Sequence, residues 1–167
     1  MEMLVETLIE DARWQAFGLE ALAERSARAA LTGHGLATKG FQISLLACDD
    51  ARIAALNADF RGKPQPTNVL SWPSEDRAPD QPGAAPDLPG PGADDDPESL
   101  GDIAIAWETC QREATEQHKP AADHVAHLIV HAVLHLLGYD HIEDDDARLM
   151  ESIEVRVLAS MGLPDPY

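Results

Sequence analysis

The chain has 167 residues, which suits one domain, and its apolar residues, 44% of the total, can fill a single core. A domain near this size buries about 68–70% of the surface that its unfolded chain exposes, so neither a disulfide nor a structural metal is needed simply to fold it. The formal net charge of −18 excludes a broad, non-specific grip on nucleic-acid backbones, and any such contact must come from a small basic site or a partner.

The N-terminus, Met1-Glu2-Met3-Leu4-Val5-Glu6, lacks the basic start and apolar run of a signal peptide. Nowhere does the chain offer about 18 uninterrupted apolar residues for a membrane span. Partial alternation over 4–10 predicts a first strand. A helix follows over 12–31, with Trp14, Phe17, Ala21 and Leu22 at helical spacing and Gly33 and Gly35 to end it. The apolar run 41–48 is a second strand, and Asp49 and Asp50 can cap a helix running to about Asp59. Val69-Leu70-Ser71-Trp72 is a short strand stopped by Pro73.

Residues 73–99 then carry eight acids against Arg77 alone, a net −7 that leaves the remainder at −11. This Pro- and Gly-rich composition over 74–99 predicts a flexible acidic loop within a single domain spanning 1–167. A strand resumes over 100–107, a helix over 108–118, and Pro120 opens a helix that reaches Leu137 before Gly138 ends it. The last helix, over 144–160, turns Leu149, Ile153, Val157 and Leu158 inward, with acids at 144–146 favourable at its N-terminus. Four strands and four to five helices without βαβ alternation predict an α+β fold. Cys48 and Cys110 form no CxxC motif, so a soluble cytoplasmic protein with free thiols is expected.

The chemistry concentrates in His131-Ala-Val-Leu-His135-Leu-Leu-Gly138-Tyr-Asp-His141. Residues four apart on a helix share a face about 6 Å apart along the axis, so two imidazoles can meet at one ion. Gly138 can leave the helix with φ > 0 and return the chain so that His141 supplies a third ligand. Three protein nitrogens leave a position open for water, as catalytic rather than structural sites do. His127 lies on the same face, but it is about 12 Å along the axis from His135, so both cannot hold one ion. It remains a neighbour of the site, with His118 and His124 expected at the surface and His34 in a loop. The spacing is that of HExxHxxGxxH proteases, but Ala132 stands where their general base should be, which argues against peptide hydrolysis.

That histidine segment, ending Leu-Gly-Tyr-Asp-His, resembles the YbeY family of bacterial metal-dependent endoribonucleases. Further blocks match in the family's order: Glu10-Asp11-Ala-Arg-Trp14, Leu56-Asn57-Ala-Asp-Phe60-Arg61-Gly62-Lys63, Pro66 through Pro73, and Leu100-Gly101-Asp102-Ile103-Ala-Ile105. The resemblance implies a small mixed four-stranded sheet with helices around a central metal-binding helix. It implies one divalent ion, zinc, on His131, His135 and His141, and a catalytic arginine at Arg61. It further implies a single-strand-specific endoribonuclease acting in maturation of the 16S ribosomal RNA 3′ end and in ribosome quality control. The partners implied are ribosomal RNA, the small ribosomal subunit and ribosome-assembly proteins, with neither membrane nor DNA. Three departures are Asn68 where the family usually has Asp, Ala132 where it has Gly, and the long 74–99 loop.

Without the resemblance, Arg61 and Lys63 read as an ordinary solvated pair; with it, Arg61 becomes the phosphate ligand, because its fork can hold two oxygens. Thr67 and Asn68 suit turn chemistry, and Asp102 suits a strand end or loop. The expected ion acts as a Lewis acid on a phosphoryl oxygen or lowers the pKa of a bound water towards about 7. Two rivals are a metallohydrolase of another class, such as a peptidase or amidase, and a non-catalytic ribosome-associated metal-binding protein. Metal removal separates them, since a structural ion takes the fold with it.

Overall fold

In the computed structural model, which describes residues 3–77, 79, 81, 83–86, 88–93, 95–140 and 143–167, one mixed sheet sits against a nearly buried helix. The strands are β1 (Val5–Ile9), β2 (Phe41–Cys48), β3 (Val69–Pro73) and β4 (Glu98–Ala106), in the order β1-β2-β4-β3. β1 and β4 flank β2 in parallel, and β3 runs antiparallel to β4, with Leu70 opposite Ala104. Side chains alternate across the pleat. Phe41, Ile43, Leu45, Ile103 and Ile105 therefore join the main core, while Cys48, Leu70, Ala104 and Ala106 form a smaller cluster with Ile53.

Six helices accompany the sheet among the described residues: α1 (Ala12–Phe17), α2 (Leu19–Thr32), α3 (Asp50–Arg61), α4 (Trp107–Glu116), α5 (Ala121–Leu136) and α6 (Asp144–Ser160). The fold is α+β, as the element pattern predicts, with one helix more than expected. The difference lies at Gly18, which takes φ 85° and divides the helix predicted over 12–31 into α1 and α2. α1 has its own cap, Asp11, which accepts from the Arg13 N–H at 3.0 Å. It also carries Trp14 into the core, where its Nε1–H donates to the Cys48 carbonyl at 2.9 Å.

α5 contacts α2, α4, α6, β3 and β4. A helix enclosed this way should be apolar nearly all round. From His124 to Tyr139 every residue is buried except His127, His131 and His135. Both cysteines are buried and unbridged, and burial pushes the Cys48 thiol up to about 12. No helix among the described residues is long and apolar enough to cross a membrane.

The acidic segment 74–99 meets this body at several points. Gly92 and Glu98 both donate their N–H to the Gly40 carbonyl at 2.8 Å, and Gly83 donates to Asp146 Oδ1 at 2.6 Å. Arg77 is buried, and its Nη1 donates to the Leu136 carbonyl at 3.1 Å, satisfying one of the orphan acceptors at the end of α5. This contact depends on Gly138, whose φ is 110° and whose added Cβ would lie 2.6 Å from the Arg77 carbonyl oxygen. Gly138→Ala would combine backbone strain with that clash, so it should destabilise the protein by about 1–3 kcal/mol or more. A thermal melt should show a fall of about 2–4 °C for each kcal/mol lost. An unchanged melting temperature would mean that the Arg77 segment yields without cost.

Candidate active site

Beyond its first turn, α5 has one stripe that is not buried, and it opens into a cavity of about 880 Å³. His127, His131 and His135 line it from the helix, Arg61 from the end of α3, Lys63 and Thr67 from the loop that follows, and Tyr139 and Tyr167 join them. Of the residues predicted to form the site, the structure thus brings together His131, His135 and Arg61. His141 lies outside the described residues.

The two imidazoles are held from behind. His131 Nδ1 donates to Glu154 Oε1 at 2.7 Å, and His135 Nδ1 donates to the Tyr139 carbonyl at 2.9 Å. Both acceptors lack protons, so each Nδ1 must carry the hydrogen, and in a neutral ring Nε2 is then a lone pair. The two Nε2 atoms face each other at 3.1 Å. Two ring nitrogens at that distance can share a cation, or a proton carried by one of the rings. Nitrogens bonded to one tetrahedral zinc at about 2.0–2.1 Å stand about 3.3–3.4 Å apart, within a few tenths of an ångström of the spacing found. A carboxylate or carbonyl behind each ligating imidazole is the usual support of such a site. Among the described residues no third ligand joins them, so the two imidazoles are half of a site that a divalent ion could take.

Glu154 was not foreseen in the sequence. It is 1% exposed and lies on α6 between Met150 and Val157, within the apolar stripe that faces α5. A carboxylate in such a stripe needs partners, and that was the available signal. It accepts from His131, from His127 Nε2 at 3.2 Å, and from the Tyr167 hydroxyl on its other oxygen. Burial alone would raise its pKa, but the bonds from His127, His131 and Tyr167 outweigh that and hold the carboxyl at about 2. His127 thus shares the acceptor of His131. Burial of the Tyr167 hydroxyl, reinforced by its bond to Glu154, raises that group's pKa and keeps it a donor.

Arg61 ends α3. Gly62 turns the chain out in a left-handed conformation with its N–H on the Ala58 and Asn57 carbonyls. Asn57 Nδ2 donates to the Gln65 carbonyl at 3.0 Å, so the loop carrying Arg61, Lys63 and Thr67 is pinned to the helix it leaves. Neither Arg61 nor Lys63 forms an ion pair among the described residues, whereas Arg77 lies near Glu75 and Glu98.

His124 differs from its expected surface position. It is 4% exposed, with Nε2 at 2.9 Å from Glu113 Oε1, because a carboxylate on α4 makes its burial tolerable. The same Glu113 accepts from Asn68 Nδ2 at 3.0 Å, while Asn68 Oδ1 accepts from the Val69 N–H. Asn68 thus does turn chemistry at the entry to β3. His118 is exposed, His34 lies in the turn after α2, and Asp102 is an exposed residue of β4 opposite Trp72. Asn68→Asp would set two carboxylates about 3 Å apart, where both cannot be ionised without repulsion. The variant should melt about 2–8 °C lower at pH 7, with a smaller deficit at pH 4, where a shared proton removes the repulsion. Equal deficits at both pH values would show that charge is not the cause.

Residues 5–162 match the family model described as Endoribonuclease YbeY. The chain is 61% identical over 167 residues to Endoribonuclease YbeY of Cereibacter sphaeroides, covering 100% of both chains. It is 59% identical over 163 residues to that of Dinoroseobacter shibae, covering 98% of this chain and 90% of the relative. A Thermotoga maritima protein solved in solution superposes with a TM-score of 0.55 at 18% identity, over 95% of this chain and 91% of that one, and shares the fold.

Proposed function

The chain belongs to the YbeY family of endoribonucleases, and from that premise we propose that it hydrolyses single-stranded RNA with a divalent ion, zinc, held by His131, His135 and His141. The observation that carries the proposal is the pair of Nε2 atoms 3.1 Å apart in the cavity lined also by Arg61, with both Nδ1 protons committed to acceptors behind them. Bound there, the ion supplies Lewis acidity towards a phosphoryl oxygen or acidifies a water.

The protein's own groups set up the reaction. Glu154 and the Tyr139 carbonyl fix the tautomer and orientation of the two rings. Arg61, without an ion pair among the described residues, presents two parallel donors to a phosphate and stabilises charge developing on it. Lys63 adds attraction at the rim. The histidines are partly buried in a cavity, which suits an unpaired strand whose phosphate can enter, rather than a duplex. On this reading the substrate is ribosomal RNA, with a role in maturing the 16S 3′ end and in ribosome quality control. The partners are then the small ribosomal subunit and assembly proteins, and the setting is the cytoplasm.

Zinc content separates the ligands. His131→Ala, His135→Ala and His141→Ala should each strip the ion, while His127→Ala, whose Nε2 is engaged with Glu154, should retain most of it. Full occupancy in His141→Ala would remove that residue from the set. A chelator should abolish cleavage and leave the circular dichroism spectrum folded; collapse of the fold would make the ion structural.

Arg61→Ala should fold and hold zinc normally but cleave RNA about 10²–10³ more slowly in single turnover, the usual loss for one well-placed transition-state donor. Arg61→Lys should recover only part of that, because an ammonium lacks the two-pronged geometry. Lys63→Ala should be milder and more sensitive to salt. Wild-type rates from zinc-loaded Arg61→Ala would take the arginine out of the reaction.

A further inference from the structure

The carboxylate behind His131 is itself held from behind. Glu154 presents Oε1 to two histidines, His131 at 2.7 Å and His127 at 3.2 Å, while Oε2 accepts from the Tyr167 hydroxyl. The last torsion of a glutamate is broad, so a carboxylate anchored on one oxygen alone can swing between such rivals. Tyr167 removes that freedom. The segment that delivers it is short and tied at each step: Leu163 donates its N–H to the Leu158 carbonyl at 2.9 Å, and Lys119 Nζ donates to the Pro166 carbonyl at 2.9 Å. The Tyr167 N–H then donates to Asp165 Oδ1 at 2.8 Å, and the ring stands edge-on to His127 with centroids 5.4 Å apart.

We propose that Tyr167 is a positioning residue: its hydroxyl fixes the plane of Glu154, and Glu154 thereby fixes the ring and tautomer of His131 for metal binding. The inference rests on the metal reading above. A merely structural role fits poorly, because the residue is 61% exposed and its burial contributes little to the core.

The test uses the whole chain and zinc alone, titrated against a chromophoric chelator, with thermal melts in the presence and absence of zinc. Removing a partner that orients a ligand directly typically costs about 10–100-fold in metal affinity. Tyr167 acts one bond further out, so Tyr167→Phe should weaken zinc binding about threefold to tenfold, less than Glu154→Gln does. The metal-free protein should melt only slightly below wild type, while the rise in melting temperature that zinc produces should shrink. In the Glu154→Gln background, Tyr167→Phe should add nothing, since its effect runs through the missing carboxylate. Should Glu154→Gln fail to fold, the affinity of Tyr167→Phe alone still decides.

Wild-type zinc affinity in Tyr167→Phe would overturn the inference while leaving the metal reading intact. So would an equal fall in melting temperature with and without zinc, which marks a structural role. A wild-type protein that takes up no zinc would overturn both.

Discussion

The enclosure of α5 governs the rest of the molecule. A helix covered by other helices and by the sheet can show solvent only one stripe, and here that stripe is residues 127, 131 and 135. Imidazoles placed there have one nitrogen in the cavity and the other pointing into a dry interior, where an unpaired N–H would cost about 1–3 kcal/mol. The interior must therefore supply acceptors at two places. Glu154 on α6 answers one, and the Tyr139 carbonyl, delivered by the turn at Gly138, answers the other. Once both are in place each ring is oriented, and the two Nε2 atoms stand 3.1 Å apart in the cavity. The orientation of the pair follows from burial as much as from the residue type.

The opposite wall is governed by charge. In a chain of net charge −18, long-range attraction for a polyanion is unfavourable, but at physiological salt the potential of distant charges decays over about 8 Å. Arg61 and Lys63 therefore act at contact range. Arg77, the other cation lining the cavity, already donates to the Leu136 carbonyl and lies beside Glu75 and Glu98. On the proposed function, a wall built this way suits one phosphate beside the histidines rather than the length of a strand.

Much of this was legible in the sequence because it depends on local rules. The i, i+4 spacing of His131 and His135, the glycine that ends their helix and the apolar runs of β2 and β3 each have a short-range physical meaning. What escaped depends on contacts between distant elements. Gly18 can take φ 85° as a helix end, but a glycine is also tolerated inside a helix, and the spacing of 12–31 does not say which; the break goes with Trp14 docked on the Cys48 carbonyl. His124 looked like a surface residue because its partner, Glu113, is on another helix. Glu154 was hidden for the same reason, although its place among Met150, Ile153 and Val157 was a signal that a buried charge needed explaining. The acidic segment after Pro73 gave only its composition. Its anchor, Arg77, is intelligible only when the end of α5 is seen to need a donor.

These long-range polar contacts occur at three levels along α5. Near its start, His124 meets Glu113 of α4, which also receives Asn68 at the head of β3. At its middle, His127 and His131 meet Glu154 of α6, which receives Tyr167. At its end, the Leu136 carbonyl receives Arg77. Each is a buried polar link that is favourable only when all its members are aligned, so each resists sliding or rotation of the helix in a way that apolar contacts do not. Asn68 lies seven residues after Arg61, and the intervening loop is itself tied to α3 through Asn57. The cation wall and the histidine stripe are thereby referenced to one rigid helix. If the site holds a phosphate against an ion, as proposed, it needs that common reference more than it needs any single contact.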